Sequence, residues 1–263
     1  MKRLRLPVMP STLRHRSARF DRPTRPFRVV TGDRVSLVGD RLGEGPVALV
    51  FCHGFRGWHR KPRLVRFQEQ LARSLTVYGF DFRGHGQSGG VSSFGALEHL
   101  DVDAVVRQAR ADGFQRVATF GCSMGGIAVV RHAALHRGTD AVVSVSTPAM
   151  WSGHDSQAIR RLTWLTASPW GRRALRASGV RPATSFQRVE DPVELIGDIA
   201  PTPIVLVHGR DDPFFDEEQA WALYRAANQP KRLLLASRFG HAEDGFTPTF
   251  AERIASAVLE LTA

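Results

Sequence analysis

Short apolar runs alternate along this chain with longer stretches in which apolar positions recur every three or four residues. Val47 to Cys52 and Ala141 to Val145 are almost wholly apolar. Leu75 to Phe82, Arg116 to Phe120, Pro203 to Val207 and Leu233 to Ala236 are close to that pattern. Such runs predict strands buried on both faces of a parallel sheet. Between them, Leu64, Val65, Phe67 and Leu71 follow Pro62, and Leu97, Leu100, Ala104, Val105 and Ala109 mark one face of Ala96 to Asp112. These spacings predict helices, as do residues 124–137, Glu217 to Ala227 and Phe250 to Leu261. At the start, Phe27 to Val30 and Arg34 to Val38 flank Thr31-Gly32-Asp33, a hairpin signal. The expected fold class is therefore α/β, a mostly parallel central sheet with helices on both faces. The 263 residues suit one large domain. Ligands of such sheets bind at the carboxyl ends of the strands.

Charge is concentrated in two places. The formal net charge is +11. Residues 1–28 carry nine Lys/Arg against Asp21, and residues 149–182 carry six Arg against Asp155. The first 26 residues also hold Pro7, Pro10, Pro23 and Pro26, so they are expected to form a disordered basic arm ahead of a domain over 27–263. The arm is expected to be mainly solvated, with weak contact to an anionic surface as its functional reading and no nucleic-acid partner. The longest uncharged run, Val117 to Val130, is shorter than the roughly 20 residues a spanning helix needs. Pro7 and Pro10 break Leu6 to Leu13, so no signal-peptide apolar region is expected. Cys52 and Cys122 read as buried thiols of a reducing compartment, which gives a cytoplasmic expectation.

Gly121-Cys122-Ser123-Met124-Gly125 joins a predicted strand to a predicted helix. A serine at the apex of that turn is what the G-x-S-x-G nucleophile elbow requires, with flanking glycines where the backbones pass closely. A serine hydroxyl needs a base, and the base needs an orienting acid. His241, in Phe239-Gly240-His241-Ala242-Glu243 after the last strand, is the candidate base. Asp211 and Asp212, just past strand Pro203 to Val207, are both candidates for the acid. The other acid position, after Ala141 to Val145, holds Ser146-Thr147-Pro148 and no carboxylate. The chain order serine, aspartate, histidine matches one of the known triad orders.

Two further segments complete a resemblance. His53-Gly54-Phe55 follows the third strand, and Asp81-Phe82-Arg83-Gly84-His85-Gly86-Gln87-Ser88 follows the fourth. Together with the elbow, these resemble the α/β-hydrolase superfamily over about residues 27–261. The second is similar to the family's D-x-R-G-x-G-x-S loop. The resemblance implies an oxyanion hole built from the Phe55 and Met124 amides. It favours Asp212, through the G-x-x-D pattern of Gly209 to Asp212. Gly54-Phe55-Arg56-Gly57, a short helical insert and the Gly-His-Ala-Glu ending resemble the esterase and monoacylglycerol-lipase-like branch. The implied activity is cleavage of carboxylic esters of short to medium acyl chains through an acyl-enzyme, on a small-molecule ester substrate, with no cofactor and no metal.

Other features have plainer readings. His53, His85 and His208 also fall at strand ends, but no H-x-x-x-H or C-x-x-C spacing links them, so they read as structural rather than metal ligands. Gly84 to Gly89 spells G-x-G-x-x-G, yet the following residues read as loop, which a dinucleotide site does not allow. The serine argues against the aspartate-nucleophile chemistry of dehalogenases and epoxide hydrolases. A cap insert is expected at about 147–188, with Trp151, Trp164 and Trp170 as substrate-pocket candidates. A basic amphipathic helix around Ile159 to Leu165 suggests a lid with interfacial affinity. Arg56, Arg60, Lys61, Arg63 and Arg66 motivate a second reading, an acyl-CoA thioesterase whose leaving group meets these cations. A third, of another class, is a non-catalytic receptor or scaffold on the same fold.

Overall fold

Eight strands, in the spatial order 1-2-4-3-5-6-7-8, make one sheet in the computed structural model, which describes residues 17–153, 156–185 and 189–263. The strands are β1 (Thr24–Val30), β2 (Ser36–Leu42), β3 (Ala48–Cys52), β4 (Thr76–Phe80), β5 (Val117–Cys122), β6 (Ala141–Val145), β7 (Ile204–Gly209) and β8 (Lys231–Ala236). β2 pairs antiparallel with β1 and β4, and every other pairing is parallel. β3 to β7 are buried along their whole length, which is why they read as unbroken apolar runs.

Helices cover both faces. Among the described residues they are α1 (Pro62–Leu71), α2 (Glu98–Ala111), α3 (Met124–His136), α4 (Gln157–Ala167), α5 (Pro169–Ala177), α6 (Pro192–Leu195), α7 (Glu217–Ala226) and α8 (Pro248–Leu261). Leu64 and Phe67 of α1 share one core with Phe250 and Ile254 of α8 and with Phe51 and Phe120 from the sheet. Ala104 of α2, Ala128 of α3 and Leu223 of α7 join Val50 and Phe80 in the core of the opposite face. α4 and α5 lie between β6 and β7 in the chain, within the segment expected to form a cap.

The boundaries differ from the sequence reading in instructive ways. The sheet begins at Thr24, inside the segment read as an arm, because Thr24 to Val30 pairs residue for residue with Leu42 to Ser36. Pro26 is tolerated there because β1 is an edge strand. Residues 1–16 of the expected arm lie outside the described residues. α2 begins at Glu98 rather than Ala96, since the Glu98 carboxylate accepts from the Ser93 and Gly95 amides and holds the preceding loop off the helix. β8 starts at Lys231 because its pairing with β7 reaches back to Ile204. Among the described residues no helix is long and apolar enough to cross a membrane.

Candidate active site

β5 delivers Ser123 directly onto the start of α3. Ser123 has φ 54° and ψ −118°, a strained backbone for a residue with a side chain. Its amide donates to Val145 O at 2.9 Å and its carbonyl accepts from Ile127 N at 3.1 Å, so the strain is held from both sides. Side chains at Gly121 and Gly125 have no room. A Cβ at the first would meet the Gly125 carbonyl, and one at the second the Cys52 carbonyl, both inside van der Waals contact. Met124 is the first residue of α3, where amides lack an intrahelical acceptor and the helix dipole is positive.

The base candidate sits beyond β8. His241 Nδ1 donates to Asp212 Oδ2 at 2.7 Å. The other oxygen, Oδ1, accepts the amides of Phe214 at 2.8 Å and Phe215 at 3.2 Å. Burial by itself would raise this carboxyl, but the bond and charge of His241, with those two amides, outweigh it and hold Asp212 below the usual range. The Asp212 side chain is fully buried and that of His241 is 14% exposed. Asp211 is exposed, so the structure distinguishes the two candidate acids. The His241 ring is flanked by Phe214, at 4.5 Å between centroids, and by Phe215, at 5.6 Å.

Nucleophile and base loops are fastened to consecutive residues. Val145 O takes the Ser123 amide, and Ser146 Oγ accepts the Ala242 amide at 3.0 Å, next to His241. Ser146 in turn donates its own amide to Val207 O of β7 at 2.8 Å. In the sequence Ser146 marks only a position without a carboxylate. No local signal could reveal the role, because Ser146 and Ala242 lie 96 residues apart.

The loop carrying Phe55 is built on two buried imidazoles. His53 Nε2 accepts the Phe82 amide at 3.1 Å, which leaves the proton on Nδ1 to donate to Gly54 O at 2.8 Å. Burial, with His85 nearby, pushes His53 down to about 3, so it is neutral. His85 Nδ1 donates to Arg83 O at 3.0 Å and its Nε2 accepts the Arg56 amide at 3.3 Å. The Gly57 amide closes the turn onto Gly54 O at 2.9 Å, with Arg56 at φ 64°. Gly54 itself lies against Ser123, since a Cβ there would stand 3.4 Å from the Ser123 Cβ. His208 Nε2 donates to Phe215 O at 3.0 Å. These three histidines are thus engaged with backbone, as structural residues would be.

The Asp81 loop brings in a buried charge network that the sequence did not disclose. His59 lies between two carboxylates, with Nδ1 2.7 Å from Asp81 Oδ1 and Nε2 2.8 Å from Asp40 Oδ2. Burial alone would lower this imidazole, but the bonds and charges of Asp40 and Asp81 raise it to about 9. Burial would likewise raise Asp40, yet His59 and Arg60 bring it down to about 2.

A cavity of about 820 Å³ opens beside Ser123, whose lining includes Phe55, Phe94, Met124, Ile127, Trp151 and Phe215. α4 closes one side with Ile159 and Leu162. Of the three tryptophans expected there, Trp151 lines the cavity, and Trp164 and Trp170 do not. They are 57% and 73% exposed, because α4 turns Ile159, Leu162, Thr163 and Thr166 inward and leaves Trp164 on its outer side. The basic cluster after the Phe55 loop is largely matched by acids. Arg60 binds Asp40 through two bonds at 2.7 and 2.9 Å, Lys61 pairs with Glu243, and Arg63 pairs with Asp244 at 2.9 Å.

Comparison with known proteins agrees with this architecture. The pattern of the Alpha/beta hydrolase family matches residues 49–262, and the chain belongs to that family. It is similar to the uncharacterized protein YfhR of Escherichia coli O157:H7, 28% identical over 167 residues, or 62% of this chain and 52% of YfhR. It is also similar to the uncharacterized protein YqkD of Bacillus subtilis (strain 168), 24% identical over 212 residues, or 75% of this chain and 65% of YqkD. The matches thus span about half to two thirds of those curated relatives. Among solved structures, the Pyrococcus furiosus esterase Pf2001 superposes with TM-score 0.75 at 21% identity, covering 92% of this chain and 94% of that one. Esterase RhEst1 from Rhodococcus sp. ECU1013 superposes with TM-score 0.72 at 20% identity, covering 90% and 99%. These two likenesses are likenesses of fold.

Proposed function

We propose that this protein is a serine hydrolase that cleaves carboxylic esters of short to medium acyl chains through an acyl-enzyme. The observation that carries the reading is the strained Ser123 elbow, tied through Val145 and Ser146 to the loop that presents the His241–Asp212 pair. Ser123 Oγ attacks the acyl carbon while its proton passes to His241 Nε2. The alcohol leaves with that proton, and the acyl group stays on Ser123. Water then attacks, His241 again takes the proton and returns it to Ser123, and the acid departs. Asp212 keeps the Nδ1 proton in place and stabilises the imidazolium. The Phe55 and Met124 amides serve the oxyanion, each worth about 3 kcal/mol of barrier.

Support comes from the apolar lining of the cavity and from neighbours described as esterases, in line with the esterase-like branch. The ester reading is preferred to the acyl-CoA one because Arg60, Lys61 and Arg63 already have carboxylate partners. Among the described residues, that leaves only Arg56 and Arg66 of the cluster exposed without a paired acid. A scaffold role gives no reason to keep a strained serine and a buried carboxylate beside an imidazole. The test is a panel of p-nitrophenyl esters and acyl-CoA thioesters with a fluorophosphonate label. Wild-type protein is expected to turn over the esters and label at Ser123, and Ser123→Ala to do neither. Ester turnover that survives in pure Ser123→Ala protein would end the proposal.

A further inference from the structure

α4 and α5 meet at a corner with no intervening loop. Ser168 ends α4 and caps α5, with its Oγ accepting the Gly171 amide at 2.9 Å. The crossing is tight, because a Cβ at Gly171 would collide with the backbone of Leu165. Trp164 and Trp170 stand on either side of this corner, 57% and 73% exposed. No residue of α4 is buried. Its inward side gives Ile159 and Leu162 to the cavity, while Arg160, Arg161 and Trp164 are exposed. On α5, Trp170, Arg173 and Arg176 are exposed, with the Arg173 guanidinium 5.9 Å from the Trp170 ring.

Charge in this hairpin is one-sided. From Ser156 to Ser185 the chain holds six arginines and no aspartate or glutamate. That departs from the rest of the surface around the site, where Arg60, Lys61 and Arg63 face Asp40, Glu243 and Asp244. Exposed indole rings at a helical corner, beside Arg161, Arg173 and Arg176, are what an anionic lipid interface recognises. Indole rings settle at headgroup depth and guanidinium groups meet phosphates. Trp and Arg are also enriched at protein interfaces, so the rings alone do not choose between partners; the run of like charge from Ser156 to Ser185 is what favours an anionic lipid surface.

We propose that the α4–α5 corner docks the protein on anionic lipid, with Trp164 and Trp170 at headgroup depth and Arg161, Arg173 and Arg176 on the phosphates. Because the other side of α4 lines the cavity, docking would set the cavity beside the lipid and suit the site to acyl esters drawn from that surface. This last step rests on the ester-hydrolase reading; the docking does not.

The experiment is co-sedimentation of the full chain with vesicles of phosphatidylcholine alone or with one-third phosphatidylglycerol, run beside turnover of a water-soluble short-chain p-nitrophenyl ester. The wild type is expected to bind the anionic vesicles at least about 100-fold better than the neutral ones. Trp164→Ala/Trp170→Ala and Arg161→Gln/Arg173→Gln/Arg176→Gln are each expected to lose at least about tenfold of that binding, with soluble-ester turnover unchanged. Equal binding to both vesicles, binding unaltered in the two cap variants, or a dimer in sedimentation velocity that the variants abolish would each overturn the proposal. Vesicle binding without ester turnover would instead strike the hydrolase reading alone.

Discussion

His241 and Asp212 share a 2.7 Å hydrogen bond in which the carboxylate cannot turn away, because its second oxygen is held by the Phe214 and Phe215 amides. The imidazole is therefore supplied with one fixed tautomer, its Nδ1 occupied and its Nε2 left for the reaction. Asp212→Asn keeps the shape and offers the wrong hydrogen-bond polarity. It is expected to lower kcat by about 10³–10⁴ with little change in KM. Asp211→Asn, on the exposed neighbour, is expected to leave kcat within about twofold. Steady-state ester hydrolysis reads both, and a large loss at Asp211 would reassign the acid.

Backbone approach at the elbow gives a stability prediction. Gly125→Ala places a methyl group against the Cys52 carbonyl, and Gly121→Ala places one against the Gly125 carbonyl. Overpacking of this kind costs about 1–3 kcal/mol. Each variant is expected to unfold at lower urea concentration and to lose activity beyond its loss of folded protein. A midpoint equal to that of the wild type would show that the contact relaxes freely.

Buried histidines contribute to the pH dependence of stability with opposite signs, and His85, also lowered by burial, acts with His53 and His132. Burial lowers His53 and His132 to about 3, so between that pH and the ordinary imidazole value near 6.5 the unfolded chain binds protons that the folded protein refuses. Stability therefore rises with pH across that window. His59, raised to about 9, keeps a proton that the unfolded chain gives up above about 6.5, so stability falls from there towards pH 9. This second limb is worth on the order of 3 kcal/mol. Chemical denaturation across pH is expected to peak near about 6.5, and His59→Gln to lower the peak and flatten the alkaline side. Stability that climbs in the wild type between neutral pH and pH 9 would contradict the charged state assigned to His59.

Cavity shape predicts chain-length selectivity. Ile159 and Leu162 reach the cavity from α4. Leu162→Trp fills space there. Each buried methylene contributes about 0.8 kcal/mol, so losing room for four of them shifts the butanoate-to-octanoate ratio of kcat/KM by on the order of 10². The butanoate rate itself is expected to hold. An unchanged ratio would place the acyl chain elsewhere.

The parts of this architecture that were legible in the sequence are those in which local pattern and burial coincide. Val47 to Cys52 and Ala141 to Val145 read as inner strands because both of their faces are covered. Gly121 to Gly125 reads as an elbow because a buried apolar run precedes it and a helical pattern follows it, with an aspartate and a histidine placed later in the chain order a triad requires. What escaped notice depends on contacts between distant segments. His59 finds its carboxylates 19 and 22 residues away, and Glu98 fixes the Ser93 to Gly95 loop by bonds that no periodicity records. Trp164 and Trp170 are pocket candidates in the sequence because they fall in the cap insert, and no local pattern tells which side of it they take. A two-helix cap has only one inner side, and smaller residues took it.

The ends of the cap are clasped where they leave the sheet. Val193 N donates to Ala149 O at 3.0 Å, and the Trp151 amide donates to Asp191 at 2.6 Å, before either arm has moved far from β6 or β7. The segment between these clasps is thus a cassette whose two attachment points stay put whatever lies inside. Exchange of that cassette should retune which molecules enter while the reacting groups beneath it keep their places, so substrate range and chemistry can evolve along separate routes.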